Sequence, residues 1–453
     1  MINNLPESLV VKIWQNQLLD TTDLLTEEGE PIKIIYPGRI NDDQGADLLD
    51  AVITTKKGLR KGDIEAHVKS SNWRVHRHHQ DPTYNRVILH VVMWRDTETA
   101  TKLQNGENIP ILELHKYVRN TFWQWHNLIH YPTASNMPCR QALPHLPTST
   151  LTEFLDSAGE ERFFAKAARF QAGFAQTEAC QSLYEGIMGA LGYSKNKLPF
   201  MELARRLPLQ VLESLIQSKI SAEECLIRQQ ALLLGTAGLL PSQRVSWQQR
   251  SKTDEDWIEK LERLWVSFRQ TEVMSEDNWH LFKVRPNNFP IRRMVAISYL
   301  TLRYKEEGMF AGIINKIREV PPSSGYHELV KILLITTNGY WASHFDFGSG
   351  GRLNSPALLG NSRAADIAIN VLLPFSSAWG SFTSQPELTR KAFDLYCHYP
   401  KLAVNSVERH MTRQLGINMN LVNSAQRQQG LIHIYKTLCS QGKCHSCLLG
   451  SGD

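Results

Sequence analysis

At 453 residues the chain exceeds one ordinary domain and is long enough to bury a sizeable core. Its 42% hydrophobic and 21% charged residues exclude a disordered polyelectrolyte, and no uninterrupted apolar run approaches the roughly 20 residues of a membrane span. A formal net charge of +5 is too small to imply nucleic-acid binding by itself, and seven cysteines in so long a chain do not read as a disulfide framework.

The N-terminal "MINNLPESLVVKIWQNQLLD" lacks a basic start and a continuous apolar stretch, so no signal peptide is predicted and a cytoplasmic protein is expected. Within it, Leu9, Val10, Ile13, Trp14 and Leu18 recur near helical spacing, and Pro6 suits a first turn. "PIKIIYPG", "LLDAVITT", "GDIEAHVK" and "NRVILHVVMW" follow, each bounded by Gly, Pro, Asn or Asp, and predict strands. A shorter strand, "IPILEL", precedes the aromatic helix "HKYVRNTFWQWHNLIHY". Beyond the Pro-, Ser- and Thr-rich linker "YPTASNMPCRQALPHLPTST" the pattern becomes helical. Thr152 and Ser221 are predicted caps, and residues 199–216 and 222–240 read as helices. The expected fold class is α+β: an N-terminal mixed-sheet domain over 1–135, then a large, mostly α-helical region over 136–453.

Chemistry concentrates in "GRINDDQGADLLDAVITTKKGLRKGDIEAHVK". Asp47 stands just before one predicted strand, and alternation places Glu65, His67 and Lys69 on one face of the next. A turn between the strands would bring Asp47 near Glu65, a carboxylate pair suited to Mg²⁺ or Mn²⁺ bound together with substrate phosphates. Seven Lys or Arg between residues 56 and 79 surround only Asp63 and Glu65, which suits a polyanionic substrate. Asn41, before the acidic turn, is expected to brace it through its side chain.

In motif and element order this segment resembles the PD-(D/E)XK nuclease superfamily. There an acid-bearing helix precedes three strands, the first metal Asp stands before the second strand, and a Glu-x-Lys triplet lies on the third. The resemblance implies Asp47 and Glu65 as metal ligands, with Glu7 and Asp50 as further acids. "AD" replaces Pro-Asp here, and "EAH" replaces Glu-x-Lys, so His67 or Lys69 would take the lysine's role. Over nearly its whole length the chain also resembles a bacterial family defined only as a domain of unknown function, DUF2851. That resemblance rests on "GRINDDQGADLLDA", "GDIEAHVKSSNWRVHRHHQDPTYNRVILHVV", "RPNNFPIRRM" and "QQGLIHIYKTLCSQGKCHSC", and it brings no established activity.

"WRVHRHHQDPTYNRVILHVV" adds His76, His78, His79 and His90. His76 or His78 near the acids would serve as general base or phosphate donor, because histidine titrates near neutrality. A transition metal would instead use His67, His76 or His78 together with the carboxylates. His90 is expected to be a hydrogen-bonded core histidine. At the far end, Cys439-x₄-Cys444-x₂-Cys447 offers three thiolates for zinc or an iron–sulfur cluster, with His445, His433 or Cys397 as a fourth ligand. Arg285, Arg292 and Arg293 around a Pro-bounded turn are expected to serve structure rather than phosphate, and the Gly348–Gly351 loop lacks the Lys-Ser/Thr of a P-loop.

The sequence thus predicts a divalent-metal-dependent nuclease or phosphodiesterase acting on nucleic acid. The alternative is a non-catalytic nucleic-acid-binding or scaffolding protein on a degenerate nuclease fold.

Overall fold

A computed structural model describes residues 5–19, 22–41, 44–118, 139, 146–216, 219–244, 255–268, 272–282, 284–321, 325–347 and 355–450. The aromatic helix expected after residue 115, the linker and the Gly348–Gly351 loop lie mostly or wholly outside these residues. The architecture is mixed α+β, with an N-terminal mixed sheet and a largely helical remainder. The chain divides into two compact units. The first comprises residues 1–161, 404–423 and 427–453, and the second comprises 162–403 and 424–426.

The first unit is built on a seven-stranded sheet. Helix α1 (Glu7–Gln15) leads into β1 (Leu24–Leu25), β2 (Pro31–Tyr36) and β3 (Arg39–Ile40). The long hairpin of β4 (Leu48–Thr55) and β5 (Gly58–Lys69) comes next. After the short helix α2 (Asn72–Val75) the chain enters β6 (Val87–Trp94). A small ribbon of β7 (Thr101–Lys102) and β8 (Asn108–Ile109) then precedes β9 (Ile111–Glu113). The sheet runs β1-β2-β4-β5-β6-β9, with β3 also pairing β4. β2, β4 and β5 are antiparallel neighbours, whereas β5, β6 and β9 run parallel.

Residue alternation decides what each face of this sheet meets. Ile53, Ile64, Ala66, Leu89 and Val91 point to one side and pack with Val10, Ile13 and Trp14 of α1 in an apolar core. Trp14 satisfies its indole N–H on the Pro37 carbonyl at 2.9 Å. The other face is divided. Tyr36 and Val52 form a core with Leu151 and Leu155 of α3 (Thr148–Gly173), Met411 of α4 (Ser406–Leu415) and Leu431 and Ile434 of α5 (Ala425–Thr437). Beside that core, the β5–β6 half of the face carries Glu65, His67 and His90, with Trp73, Val87, Leu103 and Ile109 as a small apolar floor.

β5 and β6 approach closely at their start. A side chain at Gly62 would stand 2.4 Å from the Arg86 carbonyl oxygen, so the absence of a Cβ permits this contact.

The second unit is a helical assembly with one extensive core, drawn from helices such as Ala179–Leu191, Ala222–Thr236 and Pro290–Arg303. Arg292 is buried there, donating to the carbonyls of Trp341, His344, Ser355 and Ala357, and Arg293 donates to Leu358. These arginines serve structure, as expected, but by donating to backbone carbonyls of distant segments rather than by pairing with local acids. Ser221 caps its helix by accepting from Glu224 N. Thr152 does not cap: α3 begins at Thr148, and the Thr152 hydroxyl donates back to the Ser149 carbonyl. The helix expected over 199–216 is interrupted at Leu207-Pro208, because proline removes a helical N–H and disfavours helix in the residue before it. Among the described residues, no helix is long and apolar enough to cross a membrane.

Candidate functional site: a carboxylate and histidine cluster

Antiparallel pairing of Leu48 with Ile64 sets Asp47 beside Glu65. The two then clasp each other through backbone amides. Asp47 N donates to Glu65 Oε2 at 3.0 Å, and Ala66 N donates to Asp47 Oδ2 at 3.1 Å. Asn41, as expected, braces the preceding turn by donating to the Gln44 and Ala46 carbonyls. Glu7, in the first turn of α1, reaches the same neighbourhood: its Oε1 accepts from Asn72 Nδ2 at 3.1 Å. Its charge acts on both Asp47 and Glu65.

The segment after β5 then folds its histidines over the acids. His67 Nε2 lies 3.4 Å from Glu65 Oε1 and 3.2 Å from His76 Nδ1. His78 Nε2 lies 3.1 Å from the same Glu65 oxygen, in a close contact not aligned as a hydrogen bond. One ligand atom from each of His67, His76 and His78 lies within 4.8 Å of the other two. The His78 ring sits 3.9 Å from that of Tyr84 and 5.4 Å from that of Trp73, which hold it in place. Left-handed backbone at Arg77 turns the chain between His76 and His78, exposing the first and burying the second.

Behind this cluster runs a relay. His67 Nδ1 is 2.9 Å from His90 Nε2, and His90 Nδ1 is 2.9 Å from Thr101 Oγ1. When His90 donates to Thr101, its Nε2 accepts from His67 Nδ1–H. That tautomer leaves the His67 Nε2 lone pair facing Glu65, His76 and His78.

Electrostatics follow burial. Desolvation, and then each other's or Glu7's negative charge, raise Asp47 and Glu65 well above ordinary carboxylates. Burial followed by neighbouring imidazoles pushes His67 down to about 2, and burial pushes His90 down to about 3. The cluster therefore combines carboxylates that resist charging with the imidazoles of His67, His78 and His90, whose protonation burial disfavours. A cation there would offset the cost of charging the carboxylates, and neutral imidazoles keep a lone pair to offer it.

Two of the expected acids and bases stand apart. Asp50 Oδ2 accepts from the Tyr435 hydroxyl at 2.6 Å, and Asp50 Oδ1 is 3.3 Å from Arg86. Lys69 shares the strand face of Glu65 but is exposed four residues further on, roughly 13 Å along the strand. The basic run is also dispersed. Lys56 and Lys57 occupy the hairpin tip, roughly 25 Å along β4 from Asp47, while Arg60 pairs with Glu107 and Lys61 with Gln441. Only Arg74 and Arg77 flank the histidines in the chain and are exposed. The supporting roles of Asn72, Thr101 and Tyr84 escape sequence reading, because each acts on a residue brought near by the fold.

A second cluster of candidate ligands gathers at the C-terminus of this unit. Cys439 and Cys447 are buried and Cys444 partly so, in the core beneath α4 and α5. Cys139 joins them there. Burial and neighbouring sulfurs hold the Cys139 and Cys439 thiols above the usual thiol range. Of the suggested fourth ligands, His433 pairs with Glu161 at 3.1 Å, His445 is exposed, and Cys397 belongs to the second unit.

Neither the curated proteins nor the solved structures provide a match to this chain. A family model described as "Protein of unknown function (DUF2851)" matches residues 7–403. That span takes in α1, the entire sheet and the helical unit, and the chain belongs to the DUF2851 family.

Proposed function

We propose that the chain is a divalent-metal-dependent phosphodiesterase whose substrate is a nucleic acid, built on a restriction-endonuclease-like core within residues 1–135. One observation carries this reading. Glu65 Oε1 is approached at once by His67 Nε2 and by His78 Nε2, and the latter is a buried nitrogen without an aligned hydrogen-bond partner. Three atoms that bear lone pairs converge on one point, and a shared cation satisfies them.

The order of helix, three principal strands, short helix and parallel strand supports the nuclease-like reading. Glu7 on the leading helix, Asp47 before β4 and Glu65 on β5 also support it, with His67 read as the counterpart of the motif's lysine. Glu65, His67 and His78 would hold the metal, with Asp47 completing the set. Mixed oxygen and nitrogen donors favour Mn²⁺ over Mg²⁺ and also admit Zn²⁺. Bound there, such a metal would activate water and offset charge on the phosphate. His76, exposed at the rim, is placed to move a proton between the site and solvent. Arg74 and Arg77 would bind backbone phosphates. Asp47 orients Glu65 through the backbone clasp.

The test is cleavage of single- and double-stranded DNA and RNA oligonucleotides with Mn²⁺, Mg²⁺ or Zn²⁺. Glu65→Gln keeps the shape of the side chain and should lower the rate at least about 100-fold, as expected on losing a metal ligand and its charge. Metal-dependent cleavage that persists in both Asp47→Asn and Glu65→Gln would refute the assignment. Salt-dependent binding without turnover on any substrate would favour a non-catalytic nucleic-acid-binding or scaffolding role.

A further inference from the structure

We propose that Cys139, Cys439, Cys444 and Cys447 form a four-thiolate centre for a thiophilic metal, either zinc or an iron–sulfur cluster, in which Cys139 is the fourth ligand.

These are all four cysteines of the first unit, and they meet in one core although 300 residues separate Cys139 from Cys439. A single side chain ties the distant pair together. Gln414 Nε2 lies 3.8 Å from Cys139 Sγ and 3.7 Å from Cys439 Sγ. An amide donating to two sulfurs is the kind of support that ligating thiolates receive from their surroundings.

The backbone around the other two is shaped to bring them back. After α5 the chain makes a turn at Cys439–Gln441, reverses through left-handed Gly442, and makes a second turn at Cys444–Ser446. Cys447 N donates to the Cys444 carbonyl at 3.0 Å, and Gly450 N donates to that of Cys447 at 2.8 Å. The chain then passes so close to Cys444 that a side chain at Gly450 would stand 2.2 Å from the Cys444 carbonyl oxygen. Such a two-residue knuckle between cysteines is the local geometry of thiolate metal sites. None of the seven cysteines is in a disulfide. Ordinary core packing explains one or two buried thiols, but not the gathering of all four of the unit's cysteines in one core, with two of them sharing one amide donor.

Binding replaces four S–H bonds with metal–sulfur bonds and releases the protons to solvent. The centre would fasten the chain's end beneath the sheet. Gly442 packs on Val52 and Ile35, and Tyr435, one turn before Cys439, donates to Asp50 at the entry of β4. This proposal does not depend on the carboxylate and histidine site.

The test begins with the full chain, purified anaerobically without a polyhistidine tag or chelator and analysed for metal and visible absorption. Colourless protein holding about one zinc that Glu65→Gln does not remove supports a structural zinc centre. Brown protein holding about four iron supports a cluster. Cys139→Ser and Cys444→Ser should each lose at least ten-fold of that metal, whereas Cys180→Ser, Cys225→Ser and Glu65→Gln retain it. Should a cysteine variant fail to fold, Co²⁺ added to metal-depleted wild-type protein supplies an independent reading, since a tetrathiolate gives intense sulfur-to-cobalt absorption and an imidazole–carboxylate site does not. Wild-type protein that lacks metal, takes up neither zinc nor reconstituted iron and sulfide, and shows no such absorption overturns the proposal. Undiminished metal in Cys139→Ser overturns the assignment of the fourth ligand.

Discussion

His90 is wholly buried, neutral and hydrogen-bonded at both ring nitrogens, and its position is what gives His67 a defined tautomer. At the proposed metal site, a core histidine and a supporting partner for a ligand are the same residue. Replacing His90 with Phe preserves volume but leaves His67 Nδ1 without its acceptor. We expect Mn²⁺ affinity to fall about 10- to 100-fold, the range typical of such outer partners, as read by calorimetric titration. Thr101→Val should act in the same direction with a smaller loss. Unchanged affinity in both would show that the relay does not orient the ligand.

Among the elements, β5 does the most to set the site, and its pairing with β6 depends on Gly62. Gly62→Ala must displace both the Arg86 carbonyl and the Ile88 side chain, each 2.4 Å from the new methyl. A loss of about 1–3 kcal/mol is expected, visible as a lower urea midpoint at unchanged slope. Helix α4 contributes a pH dependence. His410 on that helix hydrogen-bonds to the Tyr36 hydroxyl, and burial followed by the Arg39 guanidinium pushes it down to about 4. Its folded value lies below the ordinary 6.5, so between these limits the unfolded chain binds more protons than the folded one. Its contribution is therefore present above about pH 6.5 and is lost as pH falls toward 4, with a slope of up to about 1.4 kcal/mol per pH unit. Denaturation across that window should show His410→Gln flattening the curve relative to wild type. Parallel curves would exclude His410 as a source of the slope.

At the scale of the whole molecule, the first unit is assembled from both ends of the sequence. Residues 404–450 supply Met411, Leu431, Ile434 and Tyr435 to the core over Tyr36 and Val52. A chain ended at residue 403 would uncover that face, so it should bind a hydrophobic dye strongly and lose soluble yield. Cooperative unfolding without dye binding in the shortened chain would mean that the sheet does not need this cover.

What the sequence determined by itself is local. Period-two alternation put Glu65 and His67 on one face of a strand, and Asp47 before the preceding one was legible as its partner across a hairpin. Turn chemistry at Asn41 and the cap at Ser221 were legible for the same reason, since each acts within a few residues of itself. The tertiary structure decided everything that depends on distant segments meeting. It brought Glu7 to Asn72, folded His78 back onto Glu65, drew Asp50 away to Arg86 and Tyr435, and left Lys69 exposed beyond the cluster. It also joined Cys139 to the C-terminal cysteines, although a single cysteine in a Pro-rich stretch carries no pattern of its own. The physical reason is common to all of these. Local geometry follows from the spacing of neighbouring side chains, whereas such convergence follows from which apolar faces bury one another, and no spacing along the chain encodes that directly.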